Sequence, residues 1–153
     1  MPITKTSRVV LLGATSGIGL AVARAAAAAG ASVTVGSRNP ASVERALAQL
    51  PEGSTGRIVD ASSGGSLAAF FGGIGSFDHF AYTAADPLAG RPLADYTVEA
   101  GQSFFALRLV HALDAVRLAV PHLSRHGSVT LTSGTAAFKG GPGWTLGLPR
   151  PAR

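Results

Sequence analysis

The sequence contains no cysteine, one tryptophan and one methionine. Without thiols it can form neither a disulfide framework nor a thiolate metal site. Charged residues are scarce, at 14% of the 153-residue chain, and no apolar run is long enough to cross a bilayer without interruption by Arg, Gly or Ser. The start, Met1-Pro2-Ile3-Thr4-Lys5, has no apolar signal core, so a cytoplasmic location is expected. The net charge of +5 is spread over isolated arginines such as Arg24, Arg57, Arg91 and Arg125. No cluster interleaves them with aromatic residues, which speaks against a nucleic-acid surface.

What the chain has is hydrophobic residues, at 46%, and 20 glycines. The length suits one domain with a real core. Arg8 to Leu12 predicts a strand, and the alanine-rich stretch Ile18 to Ala29 predicts a helix stopped at Gly30. Between them lies Gly13-Ala14-Thr15-Ser16-Gly17-Ile18-Gly19. Strand, tight glycine turn and helix in that order aim unpaired helix N–H groups at an anion. Gly13 serves the turn, Gly17 the approach of backbone to phosphate, and Gly19 the packing of helix on strand. The hydroxyls of Thr15 and Ser16 bond phosphate or cap the helix.

Strands are then expected over 32–35, 56–59, 77–82 and 128–132, with helices over 41–50, 66–71 and 98–123. Such alternation means right-handed βαβ units and an α/β, doubly wound parallel sheet of Rossmann-like three-layer form. The dinucleotide-binding domain is placed at 1–138. The Gly/Pro/Arg-rich stretch 139–153 is read as an irregular tail, in which Trp144 covers the cleft or anchors loose chain. His79 reads as structural; His111 could face the cleft, with a helix-surface histidine the favoured reading.

Together these residues resemble the short-chain dehydrogenase/reductase family. The spacing Gly13-x-x-x-Gly17-x-Gly19 is similar to that family's cofactor turn, and Asp60-Ala61 to the acidic residue that contacts the adenine. Tyr82-Thr83-Ala84-Ala85 stands where the family has Asn-Asn-Ala-Gly, with Ala84 matching. Gly127 to Ser133 resembles the strand that ends in the catalytic serine, here Ser133. The resemblance implies strand order 3-2-1-4-5, a nicotinamide cofactor, a small carbonyl or secondary alcohol as substrate, and a homo-oligomer. The second strand ends at Gly36-Ser37-Arg38-Asn39 with no carboxylate. A guanidinium can grip a 2′-phosphate in two places. NADP is therefore expected over NAD, with Arg38 reading the phosphate and Ser37 assisting.

The family's Tyr-x-x-x-Lys pair follows its serine by about a dozen residues. Leu146 and Arg150 stand there instead, and the tyrosines are Tyr82 and Tyr96, both before Ser133. Arg108 stands near the place of the family's helical asparagine. Impaired catalysis is expected, with a non-catalytic dinucleotide-binding protein as the alternative.

Overall fold

In the computed structural model residues 2–86 and 92–134 are described. Strand β1 (Arg8–Leu12) is central to a five-stranded sheet of order β3-β2-β1-β4-β5, in which every pairing is parallel. This is the order the resemblance implied. The other strands are β2 (Ser32–Ser37), β3 (Thr55–Ile58), β4 (Phe77–Tyr82) and β5 (Leu123–Leu131). Helices α1 (Gly17–Ala28), α2 (Pro40–Leu47), α3 (Gly64–Ile74) and α5 (His111–Ala119) cover the sheet, and α4 (Val98–Phe105) leads into α5.

Strand side chains alternate between faces, so an all-apolar strand serves two cores at once. Val9 and Leu11 enter one core with Val33, Val35 and the α1 residues Ala23 and Ala26. Val10 and Leu12 enter the other with Phe71, Phe80, Ala112 and Ala115. Alanines at the helix faces let α1 and α5 lie close on the sheet. α1 ends as predicted at Gly30, whose φ of +90° only glycine adopts readily. Gly30 N–H donates to Ala27 O and Ala31 N–H to Ala26 O, closing the helix's last carbonyls.

The helix expected over 98–123 is not one regular helix. α4 passes into a five-residue π turn, Ala106–Val110, where His111 N–H reaches back to Ala106 O. α5 then stops at Ala119, and a 3₁₀ turn over Val120–His122 contains Pro121. Proline has no N–H for the α ladder and its ring blocks the preceding turn, so the regular helix ends before it. Leu123 is already extended, and β5 begins there rather than at Ser128. Leu123 pairs with Phe77, and after an irregular stretch Ser128 pairs with His79. The polar run Ser124-Arg125-His126-Gly127 hid this first part of the strand, because an edge strand needs no apolar alternation where its side chains are exposed. His79 is buried and bonds Ser128 Oγ through Nδ1 at 2.9 Å, the structural place expected of it.

At the carboxyl edge of the sheet Leu12 stands beside Gly36 on one side and Tyr82 on the other, and Tyr82 beside Leu131. The loops leaving these positions meet over one crevice. Open α/β sheets bind ligands there, where the strand order reverses between β1 and β4.

Candidate functional site

The crevice is a cleft of about 1220 Å³. Every residue proposed from sequence lines it: Gly13, Thr15, Ser16, Gly17, Ile18, Gly19, Ser37, Arg38, Asp60, Ala61, Ala84 and Ser133. Residues separated by more than a hundred positions in sequence thus share one site. The tail 139–153, with Leu146, Arg150 and Trp144, lies outside the described residues.

The glycines of the first loop have different work. Gly13 has φ +80°, and a Cβ there would stand 2.4 Å from Ala84 N. Gly17 has φ +51°, but a Cβ there would meet nothing within 4 Å. Open space therefore fronts the start of α1. Gly19 has an ordinary helical φ, yet a Cβ would sit 2.4 Å from Thr83 Oγ1 and 2.5 Å from Gly13 O. Thr83 is what presses there. Its hydroxyl donates to Leu12 O at 3.0 Å and Gly13 O at 3.1 Å, and its N–H to Leu12 O at 2.9 Å. Gly13 N–H in turn donates to Gly36 O at 3.0 Å. The loop is thus pinned between the ends of β2 and β4.

Ser16 occupies the N-cap of α1 in an extended conformation, and its hydroxyl makes no capping bond. Asn39, Ser63 and Thr97 do cap α2, α3 and α4 through their side chains. The first N–H groups of α1 therefore lack a side-chain acceptor at the end that faces the cleft. An anion is the natural complement of such a helix end.

Past β2, the exposed Arg38 guanidinium lies 3.7 Å from Asp86 Oδ1. Past β3, Asp60 Oδ1 accepts from Ser62 Oγ at 2.6 Å and from Ser62 N–H at 2.9 Å. These bonds hold the Asp60 carboxyl below its usual range, with smaller help from the positive charges of Arg38 and His111.

The other end of the cleft is built from β4, β5 and the segment that runs from α4 through the π turn to α5. Thr132 donates to Tyr82 O through N–H and Oγ1, each at 3.2 Å, and so fixes the start of the exposed Ser133. Tyr82 is buried, and its hydroxyl donates to Leu107 O in the π turn at 2.7 Å. Burial, and secondarily the Asp86 carboxylate, pushes this phenol up to about 12. Tyr82 is therefore neutral near pH 7, with its proton engaged on backbone. Arg108, on the π turn, lies 4.3 Å over the Phe104 ring.

Sequence alone assigned no role to the side chains of Thr83, Asp86 and Phe104, and it favoured the helix surface over the cleft for His111. His111 in fact lines the cleft and is half-buried. A helical period is too coarse to tell which flank of a helix meets a cleft formed by other strands. The π turn adds a further rotation that no regular period predicts.

Known proteins resemble this chain in sequence and in fold. A family model described as short chain dehydrogenase matches residues 7–146. The short-chain dehydrogenase/reductase malC of Malbranchea aurantiaca is 30% identical over 90% of this chain and 59% of its own length. The short-chain dehydrogenase/reductase ATR9 of Stachybotrys chlorohalonatus is 32% identical over 95% of this chain and 63% of its own length. The solved structure of MalC reductase/Diels-Alderase from Malbranchea aurantiaca superposes with TM-score 0.82 at 26% identity, covering 95% of this chain and 63% of that one. A short chain dehydrogenase/reductase family protein gives TM-score 0.84 at 28% identity, covering 94% and 61%. The chain thus spans about three-fifths of the length of these relatives (59% to 63%).

Proposed function

Because the chain belongs to the short-chain dehydrogenase/reductase family, we propose that it binds NADP(H) and acts as an oxidoreductase on a small carbonyl compound or secondary alcohol. The observation that carries this reading is the amino end of α1. Its N-cap hydroxyl makes no capping bond, and open space stands in front of Gly17. A pyrophosphate fits there on the first amides of the helix, with the hydroxyls of Thr15 and Ser16 beside it. Ser37 and Arg38 take the 2′-phosphate, for which Arg38 exchanges its weak exposed pairing with Asp86. Asp60 accepts from the adenine amine. Oδ1 holds the Ser62 bonds, and Oδ2 has no partner among the described residues. Ile18, Ala61 and Ala84 supply apolar walls. When bound, the nicotinamide supplies or accepts hydride.

Ser133 holds the substrate oxygen by a hydrogen bond. A serine hydroxyl alone does not supply the proton that carbonyl reduction consumes. Residues 134–153 contain no tyrosine, and Tyr82 keeps its proton on Leu107 O. Loss of a general acid of this kind lowers rates by roughly 10²–10⁴-fold. Slow turnover is therefore part of the proposal. The same observations about tyrosine favour a second reading, a non-catalytic dinucleotide-binding protein.

No helix among the described residues is long and apolar enough to cross a membrane, and a cytoplasmic location is proposed with the function. Phe105, Leu109 and Leu113, four residues apart across α4, the π turn and α5, are about half exposed (47%, 51% and 55%). Their exposure supports a homo-oligomer, which light scattering on the purified chain tests directly.

The deciding experiment is titration calorimetry with NADPH and NADH on the chain and on Arg38→Ala. NADPH binds more tightly to the parent by at least about ten-fold, and Arg38→Ala removes that preference. No heat with either dinucleotide ends the proposal. Binding without consumption of NADPH against a panel of carbonyl compounds selects the non-catalytic reading.

A further inference from the structure

Among the described residues, the half-buried Arg108 forms no ion pair. Its Nη1 donates to Phe104 O at 3.2 Å and its Nη2 to Asp86 O. Both acceptors are neutral carbonyls. The ion pairs among the described residues are Arg38–Asp86 and Arg117–Asp114, and neither includes Arg108. A guanidinium has five N–H donors in a planar fork, so most of its donors remain to be used. The guanidinium carbon stands 4.3 Å from the centre of the Phe104 ring, which holds the group against an apolar surface. Burying a charge is costly unless a partner is supplied. The cleft therefore presents a positive group held by backbone carbonyls, with donors left over for a ligand.

The bonding pattern ties that group to the loop after β4 through Asp86 O, whose residue also pairs with Arg38, and its backbone neighbour Leu107 is tied to the Ser133 end. Ser133 follows Thr132, which donates to Tyr82 O. Tyr82 in turn donates to Leu107 O, and Leu107 adjoins Arg108. The phosphate and adenine positions proposed above belong instead to the loops after β1, β2 and β3. His111, on the next turn, lines the same cleft and adds no negative charge.

We propose that Arg108 binds a carboxylate of the substrate, so that the chain takes an oxo acid or hydroxy acid rather than a neutral carbonyl compound. The inference rests on the oxidoreductase reading and names its substrate class. Phe104 and Leu107 would border the organic part of such a ligand, and the free N–H groups of Arg108 would take both carboxylate oxygens.

The probes are benzoate and benzamide, which match in shape and differ in charge. The readout is the Arg108 Nε–H resonance in a ¹⁵N-labelled sample without dinucleotide. Benzoate should shift that resonance saturably, and benzamide should bind at least about ten-fold more weakly. Arg108→Gln should weaken benzoate by about the same factor, while Arg125→Gln, at an exposed arginine outside the cleft lining, should leave it unchanged. Equal binding of the two probes overturns the proposal, as does loss of benzoate binding in Arg125→Gln. Should Arg108→Gln fail to fold, the parent chain decides: benzoate that leaves the Arg108 resonance in place overturns the proposal. No step needs cofactor or turnover. A chain that binds benzoate at Arg108 but not NADPH fails the earlier reading, and the converse fails only this one.

Discussion

Replacing Gly19 by alanine pits two effects of opposite sign against each other. Alanine in a helix is favoured over glycine by about 1 kcal/mol, so propensity alone predicts a more stable protein. The new methyl would stand 2.4 Å from Thr83 Oγ1, 2.5 Å from Gly13 O and 2.8 Å from Ala14 Cα. Two of these are backbone atoms in a loop that Gly36 O and Thr83 hold by hydrogen bonds. The loop cannot yield without breaking them. Overpacking of this severity costs about 3 kcal/mol, leaving a net loss of about 2 kcal/mol. For a domain of this size that lowers Tm by about 4–8 °C. Circular dichroism melts of the parent and variant measure it. Thr83→Ala added to Gly19→Ala removes the hydroxyl contact but not the Gly13 carbonyl, so rescue should be partial and the pair non-additive. If Gly19→Ala melts at or above the parent, helix propensity has won and the close approach of α1 to the β4 loop is refuted. Full rescue by Thr83→Ala would place all the crowding on one side chain and refute the pinned loop.

Helix caps offer a paired comparison. Asn39 Oδ1 accepts from Ser42 N–H at 3.2 Å, so Asn39→Ala should lose about 1 kcal/mol in urea denaturation. Ser16 makes no such bond, so Ser16→Ala should change stability by less than about 0.5 kcal/mol. A loss in Ser16→Ala equal to that in Asn39→Ala would restore Ser16 as an ordinary cap. Tyr82 predicts an alkaline limb. Its phenol is raised to about 12 in the folded protein, against about 10 unfolded. Between those values the unfolded chain gives up a proton that the folded one keeps, so stability falls as pH rises through that window. The loss approaches about 2 kcal/mol at its upper end. Tyr82→Phe gives up the bond to Leu107 O, at about 1 kcal/mol near pH 8, and should show a shallower decline between about pH 10 and 12. Parallel alkaline limbs for parent and Tyr82→Phe would assign the decline to other groups.

What the sequence determined by itself is local in origin. The apolar run of β1, the glycine turn and the alanine-rich α1 each follow from φ restrictions and side-chain period over a few residues. They suffice to fix the element types and, by alternation, the layered α/β form. The positions of Gly13, Gly17 and Gly19 likewise marked the loop, because glycine is the residue such turns require. Tertiary structure decided what stands opposite each of these groups. The Thr83 hydroxyl that makes Gly19 necessary acts on Leu12 O from 71 positions away. The π turn that brings Arg108 to the cleft is held by Tyr82, 25 positions before Leu107. Arg38 finds Asp86 only because parallel crossovers bring the ends of β2 and β4 to the same edge of the sheet. Contacts of this kind depend on which strands become neighbours, and no periodicity within one segment carries that information.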